Sequence, residues 1–186
     1  TKIMITTGIP YESSIKTEVV DVVSGKTCAD LASFPLKQFG AVGANLQDTP
    51  IVCGGRYSGT HFQKCYKFTD GGWQEFASMK EKRGLAAGVV YNDKFHIFGG
   101  YDSYSRLQTT EIISIDGGVE YGPQIPASVF SHSITSINET VSILSGGSTG
   151  TSFRSPLTWY FNHMTQAFSG GPILQEGIQT PGRKDH

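Results

Sequence analysis

The side chains able to do chemistry are few and scattered. Histidines stand at His61, His96, His132, His163 and His186, and cysteines at Cys28, Cys53 and Cys65. Zinc and copper sites draw such residues from short, fixed spacings, and neither His-Glu-x-x-His nor Cys-x-x-Cys occurs. No metal and no cofactor is therefore expected. His96 and His132 fall inside apolar β-type runs, so packing is their expected role. The carboxylates Glu18, Asp21, Glu75 and Glu111 lie on or beside similar runs and read as solvated strand faces. Gly54-Gly55 and its copies invite a phosphate-loop reading, but no helix and no Lys-Ser/Thr follows. No catalytic constellation assembles.

The elements that carry these residues repeat. An apolar β-rich run ending in glycine occurs as Ile3–Gly8, Ile51–Gly55, His96–Gly100 and Ile143–Gly147. The closing glycines, Gly8, Gly55, Gly100 and Gly147, are 47, 45 and 47 residues apart. Self-similarity at this period means that one supersecondary unit is stacked along the chain. Glycine, at 23 of 186 residues, falls into six Gly-Gly pairs, where random placement gives roughly three. It is therefore positioned, as tight turns and close backbone approaches require.

Each period holds four short β-type segments. The first is small and apolar: Phe39–Ala44, Gly84–Val90 and Ser131–Ile137. Turns at Asn92-Asp93 and Asn138-Glu139 lead to the second, which ends in the double glycine. The third reads Val19–Val22, Cys65–Phe68, Glu111–Ile115 and Thr158–Phe161, and two copies run into Asp-Gly-Gly, a hairpin signal. The fourth is clearest at Trp73–Phe76. No segment keeps a helical period over ten residues. Trp73 and Trp159 are expected to be buried between stacked units, where large aromatics fill the wedge.

Four-stranded antiparallel units at this period are the blades of a β-propeller. Here the sequence resembles the kelch-repeat family, in particular secreted-type invertebrate kelch-like proteins. The stretch from Arg83 through Gly99-Gly100 to Glu111, preceded by Tyr66, Trp73 and Met79, carries the resemblance. Thr7 departs from it at the first glycine, Cys28 stands at the tryptophan place, and Tyr121 and Phe168 stand near it in later copies. The expected fold is all-β, a propeller of four-stranded antiparallel kelch blades over residues 1–186. The blades fall at about 1–35, 36–79, 80–126 and 127–175, with 176–186 leading into a next blade. Because kelch propellers commonly close with six blades, the resemblance implies that these four belong to a larger ring. A small closed ring is the rival, and it needs an apolar run after Arg183, which is lacking.

Cys53 ends a second strand and Cys65 opens the neighbouring third. Cross-strand cysteines lie near enough for a disulfide, the alternative being two buried thiols. Because one loop's two flanks carry both, the bond is expected, with Cys28 free or paired outside this stretch. Asn138-Glu139-Thr140 is a glycosylation sequon on a turn. Together they point to an extracellular, secreted protein, with the cytoplasm as the alternative. Thr1-Lys2-Ile3 has neither initiator Met nor signal peptide and reads as a processed or excised end.

With 15 basic and 16 acidic residues, the chain has no charge footprint for nucleic acid. It has no run of about 20 apolar residues for membrane insertion. The loops after the double glycines, with the inter-blade connections, should share one face. They supply Tyr11, Arg56, Tyr57, His61, Tyr101, Tyr104, Arg106, Phe153 and Arg154, and a connection supplies Arg83. Tyrosine and arginine on a Ser/Gly background suit protein contact. The expected function is a non-catalytic interaction module binding a protein or peptide through this face. An extracellular assembly component, completed at its propeller edges by other copies or chains, is the second reading. A kelch-like copper oxidase or carbohydrate-active domain is the third; the copper site such oxidases need cannot be assembled from these residues.

Overall fold

A computed structural model describes residues 2–8, 15–28, 31–149 and 155–174. The described chain is all β. The first sheet comprises β1 (Lys2–Thr6), β2 (Thr17–Asp21) and β3 (Thr27–Cys28). The second follows with β4 (Val42–Leu46), β5 (Thr49–Cys53), a small ribbon of β6 (Arg56–Tyr57) and β7 (Thr60–His61), then β8 (Lys64–Thr69) and β9 (Gly72–Ser78). The third holds β10 (Ala87–Tyr91), β11 (Lys94–Phe98), β12 (Thr110–Ser114) and β13 (Val119–Tyr121). The fourth holds β14 (Ser133–Ser136), β15 (Val141–Ser145), β16 (Thr158–Asn162) and β17 (Ala167–Gly170). Apart from the β6–β7 ribbon, each sheet is an antiparallel meander in chain order. Tight turns with both central residues at positive φ join the first and second strands, at Gln47-Asp48 and Asn92-Asp93. Such turns match the twist of the paired strands.

First strands begin two or three residues later than the sequence suggests, and His132 lies just ahead of its strand. The cause recurs in three blades. Phe39, Gly84 and Phe130 bridge instead to Arg56, Tyr101 and Ser148 in the loops after the double glycines. The next residues, Gly40, Leu85 and Ser131, take φ of 64°, 57° and 54° and turn the backbone out of the strand. Their backbones link successive blades: Leu85 N–H donates to the Gly40 carbonyl at 2.7 Å and Ser131 N–H to the Leu85 carbonyl at 2.8 Å.

The double glycine has a steric cause. Gly54 sits at φ 67°, and a Cβ there would lie 2.3 Å from the Arg83 carbonyl oxygen. The closing glycine then donates its N–H to the connection that follows: Gly8 to Gln38, Gly55 to Arg83 and Gly100 to Val129, at 3.0, 2.9 and 2.8 Å. Side chains would hold the two backbones apart.

Apolar cores lie in the seams between blades. Val42, Leu46, Ile51, Cys53, Phe95, Ile97 and Ile113 close the second seam, and Phe98, Val129, Leu144, Trp159 and Phe161 the third. Phe34, Val52 and Tyr66 pack at the first. Trp159 is buried as expected. Trp73 is only half-buried, because it stands on an outermost strand. Its ring meets Phe34 and Phe68 edge-on, and its Nε1–H donates to Thr17 Oγ1 at 2.8 Å across the blade gap. Cys53 and Cys65 face each other in register and are disulfide-bonded.

Candidate interaction surface

Two loops on the double-glycine side form one rigid unit. In the β6–β7 ribbon, Ser58 and Gly59 make the turn with φ of 47° and 81°. In the loop 101–106, Asp102 Oδ1 accepts the N–H groups of Tyr104 and Ser105 at 2.9 and 2.7 Å. These backbone donors lower the Asp102 pKa against the opposing effect of burial. Ser103, at φ 91°, places its Oγ 2.6 Å from His61 Nδ1, which ties the blade 3 loop to that of blade 2. The His61 ring is buried and meets Tyr101 edge-on at 5.4 Å. Burial, then the charge of Arg56, lowers its pKa, so the ring is neutral at pH 7.

Arginines sit on aromatic rings around this unit. The Arg56 guanidinium carbon lies 4.7 Å from the Phe39 centroid and that of Arg106 lies 5.5 Å from Phe130. Tyr101 leans on the same Phe130 ring. Stacking of this kind contributes about 0.5–1 kcal/mol at exposed sites and holds a long side chain in place. Tyr57 is half-buried. Tyr104 stands clear at 93% exposure, on the tip of the turn that Asp102 holds.

The surface thus gathers Arg56, Tyr57, Tyr101, Tyr104 and Arg106, whereas His61, expected to contact a partner, is buried beneath them and braces the loops. Tyr11, Phe153 and Arg154 lie outside the described residues. Arg83 does not belong to the surface. Its side chain is wholly buried, and its guanidinium donates to the Gly99 and Thr109 carbonyls and to Glu111 Oε1 at 2.7, 3.1 and 2.7 Å. Glu111, expected on a solvated face, is equally buried and also accepts the N–H groups of Lys80 and Glu81 at 2.6 and 3.0 Å. An interior cation needs a carboxylate, so these two expectations fail together. The sequence reading missed Ser103, Phe39 and Phe130. Phe39 reads as a strand residue in the sequence, and its bridging to a loop 17 residues on leaves no local signal.

Asn138 is exposed on its turn, where its Oδ1 accepts the N–H groups of Thr140 and Val141 at 2.9 and 2.8 Å. His96 and His132 are buried, as their strand context implied. Among the described residues no group of three or more His, Cys, Asp or Glu side chains could hold a metal ion.

Glycine-closed antiparallel sheets, each packed face to face on the next, define the class: a β-propeller. No family model matches the chain. It is 29% identical over 100 residues to Kelch repeat protein M-T8 of Myxoma virus (strain Lausanne), covering 52% of this chain and 19% of that protein. A solved structure of YjhT superposes with a TM-score of 0.81 at 13% identity, over 94% of this chain and 63% of the other. Repeat signature, blade architecture and viral relative together support a kelch-type repeat for this chain. It spans about a fifth of the viral relative's length.

Proposed function

We propose that the chain is a non-catalytic protein–protein interaction module that engages a protein or peptide through its double-glycine loop face. The observation that carries this reading is Tyr104, an almost fully exposed aromatic on a turn held by Asp102 and braced through Ser103 against His61. A large ring presented on rigid backbone loses little entropy on binding, which is what contact anchors need. Kelch similarity supports a protein partner. The disulfide favours an oxidising, extracellular setting, where Asn138 would be open to glycosylation. The test is affinity capture and titration with the identified partner. Tyr104→Ala and Arg106→Ala should each weaken binding by about 2 kcal/mol or more, with an unchanged melting profile. Full affinity in the combined variant would remove the loop face from consideration.

A second reading, assembly through propeller edges, is favoured by the first blade. In blades 2 to 4 the second strand pairs on its inner side with β4, β10 or β14, whereas β1 has no such partner among the described residues. A cavity of about 500 Å³ lies between β1 and blade 2, lined by Met4, Thr6, Ala44, Ile51 and Trp73. An extended segment from a neighbouring chain could pair along this edge.

A further inference from the structure

The seam between blades 3 and 4 carries three buried histidines, whereas between blades 2 and 3 one, His61, is buried, at the loop end where it meets Ser103. His96 projects from β11, His132 precedes β14 and His163 follows β16; all are more than nine-tenths buried. His163 Nε2 lies 2.7 Å from Ser142 Oγ, and its ring stacks on Tyr91 at 4.2 Å. His96 stands edge-on to His163 at 5.7 Å and packs beside Phe98 and Phe161. His132 lies against Gly99 and Gly147. Four of the six ring nitrogens are buried without a hydrogen-bond partner: His96 Nδ1, His163 Nδ1 and both of His132.

An imidazolium carries two N–H donors and a charge, and the described part of this seam offers the donors only Ser142 Oγ and the Phe98 carbonyl, with no carboxylate for the charge. Among the described residues no carboxylate hydrogen-bonds any of the three rings. The nearest charges, Lys94 on β11 and Glu120 on β13, pair with each other at 2.8 Å. Both line a cleft of about 610 Å³ that also reaches Tyr91, His96, His163 and Met164. The Tyr91 hydroxyl is engaged with the Met164 sulfur at 3.0 Å. Water therefore has a route to His96 and His163, while β14 and the glycine loops cover His132.

We propose that the histidine seam is an acid-sensitive latch, in which protonation of His96 and His163 through the cleft releases blade 4 from blade 3 while blades 2 and 3 stay together. Release would uncover Phe98, Leu144 and Phe161, an apolar surface that is hidden at neutral pH. The protonation equilibria agree with the geometry. Burial, reinforced by His163 and Lys94 and opposed by Glu120, pushes the His96 pKa down to about 4. Burial does the same to His132, also to about 4, although the Phe98 carbonyl favours a proton there. His163 is lowered by burial. An opened histidine takes up its proton near pH 6.5, so from about pH 6.5 down to 4 the open form binds more protons than the closed one. Closure is fully favoured above pH 6.5 and is lost as the pH falls through this window.

Hydrogen exchange of the whole chain, corrected for intrinsic rates and followed from pH 7.5 to 4.5, tests the latch. Each unit of pKa separation gives roughly a tenfold change in the opening constant. Protection in β14–β17 should therefore fall at least tenfold further than in β4–β9. NMR titration of the native chain supplies the second measurement, with the His96 ring staying neutral to below pH 5 and the His163 ring titrating below its ordinary value until blade 4 opens. A His96→Phe variant that folds should flatten the pH response of blade 4. Equal loss of protection in blades 2 and 4, pH-independent protection, or ring titration at ordinary values would each overturn the proposal.

Discussion

The Arg83–Glu111 pair differs from the cross-strand ion pairs among the described residues in being withdrawn from water. Lys64–Glu75 and Lys94–Glu120 pair at 2.7 and 2.8 Å with all four side chains substantially exposed. Exposed pairs contribute little, about 0–1 kcal/mol. In the buried pair each partner holds the other's charge in the interior, and both are anchored on backbone groups of blade 3 and of the connection that leads into it. Glu111→Gln would leave the buried guanidinium only the partly exposed Glu81 carboxylate, 3.1 Å away, and should cost about 3 kcal/mol. Glu75→Gln should cost less than about 1 kcal/mol. Urea denaturation of the two variants side by side checks this. A Glu111→Gln loss no larger than that of Glu75→Gln would mean that the buried pair holds nothing together.

Among the elements, β5 and β8 are joined twice, by their ladder and by the Cys53–Cys65 bond. The sulfurs sit in the apolar seam toward blade 3 with Phe95 and Ile97, so they pack as well as cross-link. The two residues are 12 apart in sequence, and closing a loop of this size stabilises by about 3 kcal/mol on the chain-entropy account. The double variant Cys53→Ala, Cys65→Ala should lose about that much in urea titration. The oxidised native chain should fall most of the way toward the variant when dithiothreitol is added during unfolding. Native stability that is indifferent to the reductant would leave the bond without a stabilising role.

For the whole molecule, the seams decide which apolar residues matter. Val52, Ile97 and Leu144 occupy one repeat position, three residues before the closing glycine, and all are buried against the preceding blade. Ile5 occupies the same position in blade 1 and is 51% exposed. Ile97→Ala should therefore cost about 2–5 kcal/mol through lost burial and a cavity, whereas Ile5→Ala in dilute protein should cost less than about 1 kcal/mol. Denaturation at low and high protein concentration separates two outcomes. If the Ile5→Ala cost rises with concentration, a second copy covers β1, as edge assembly requires. A large cost at every concentration would refute the distinction between open face and seam.

Periodicity alone determined that the chain is a propeller of antiparallel sheets, because a double glycine every 45 to 47 residues states a local backbone need that recurs with each blade. The Cys53–Cys65 pairing was legible for a related reason, since strand register follows from residues close in sequence. The burial of His96 and His132 could likewise be read from the strand runs around them. The fate of charged side chains could not. Arg83 looks like any connection residue until the Glu111 carboxylate, 28 positions on, is brought beneath it. Phe39 and Phe130 look like strand residues until loops from further along the chain bridge to them. Nor does spacing show that three histidines from two blades meet in one seam. Hydrogen-bonded turns and strand periods are set by neighbours in the chain, whereas desolvation and ion pairing depend on which distant elements close over a group, and only the tertiary structure decides that.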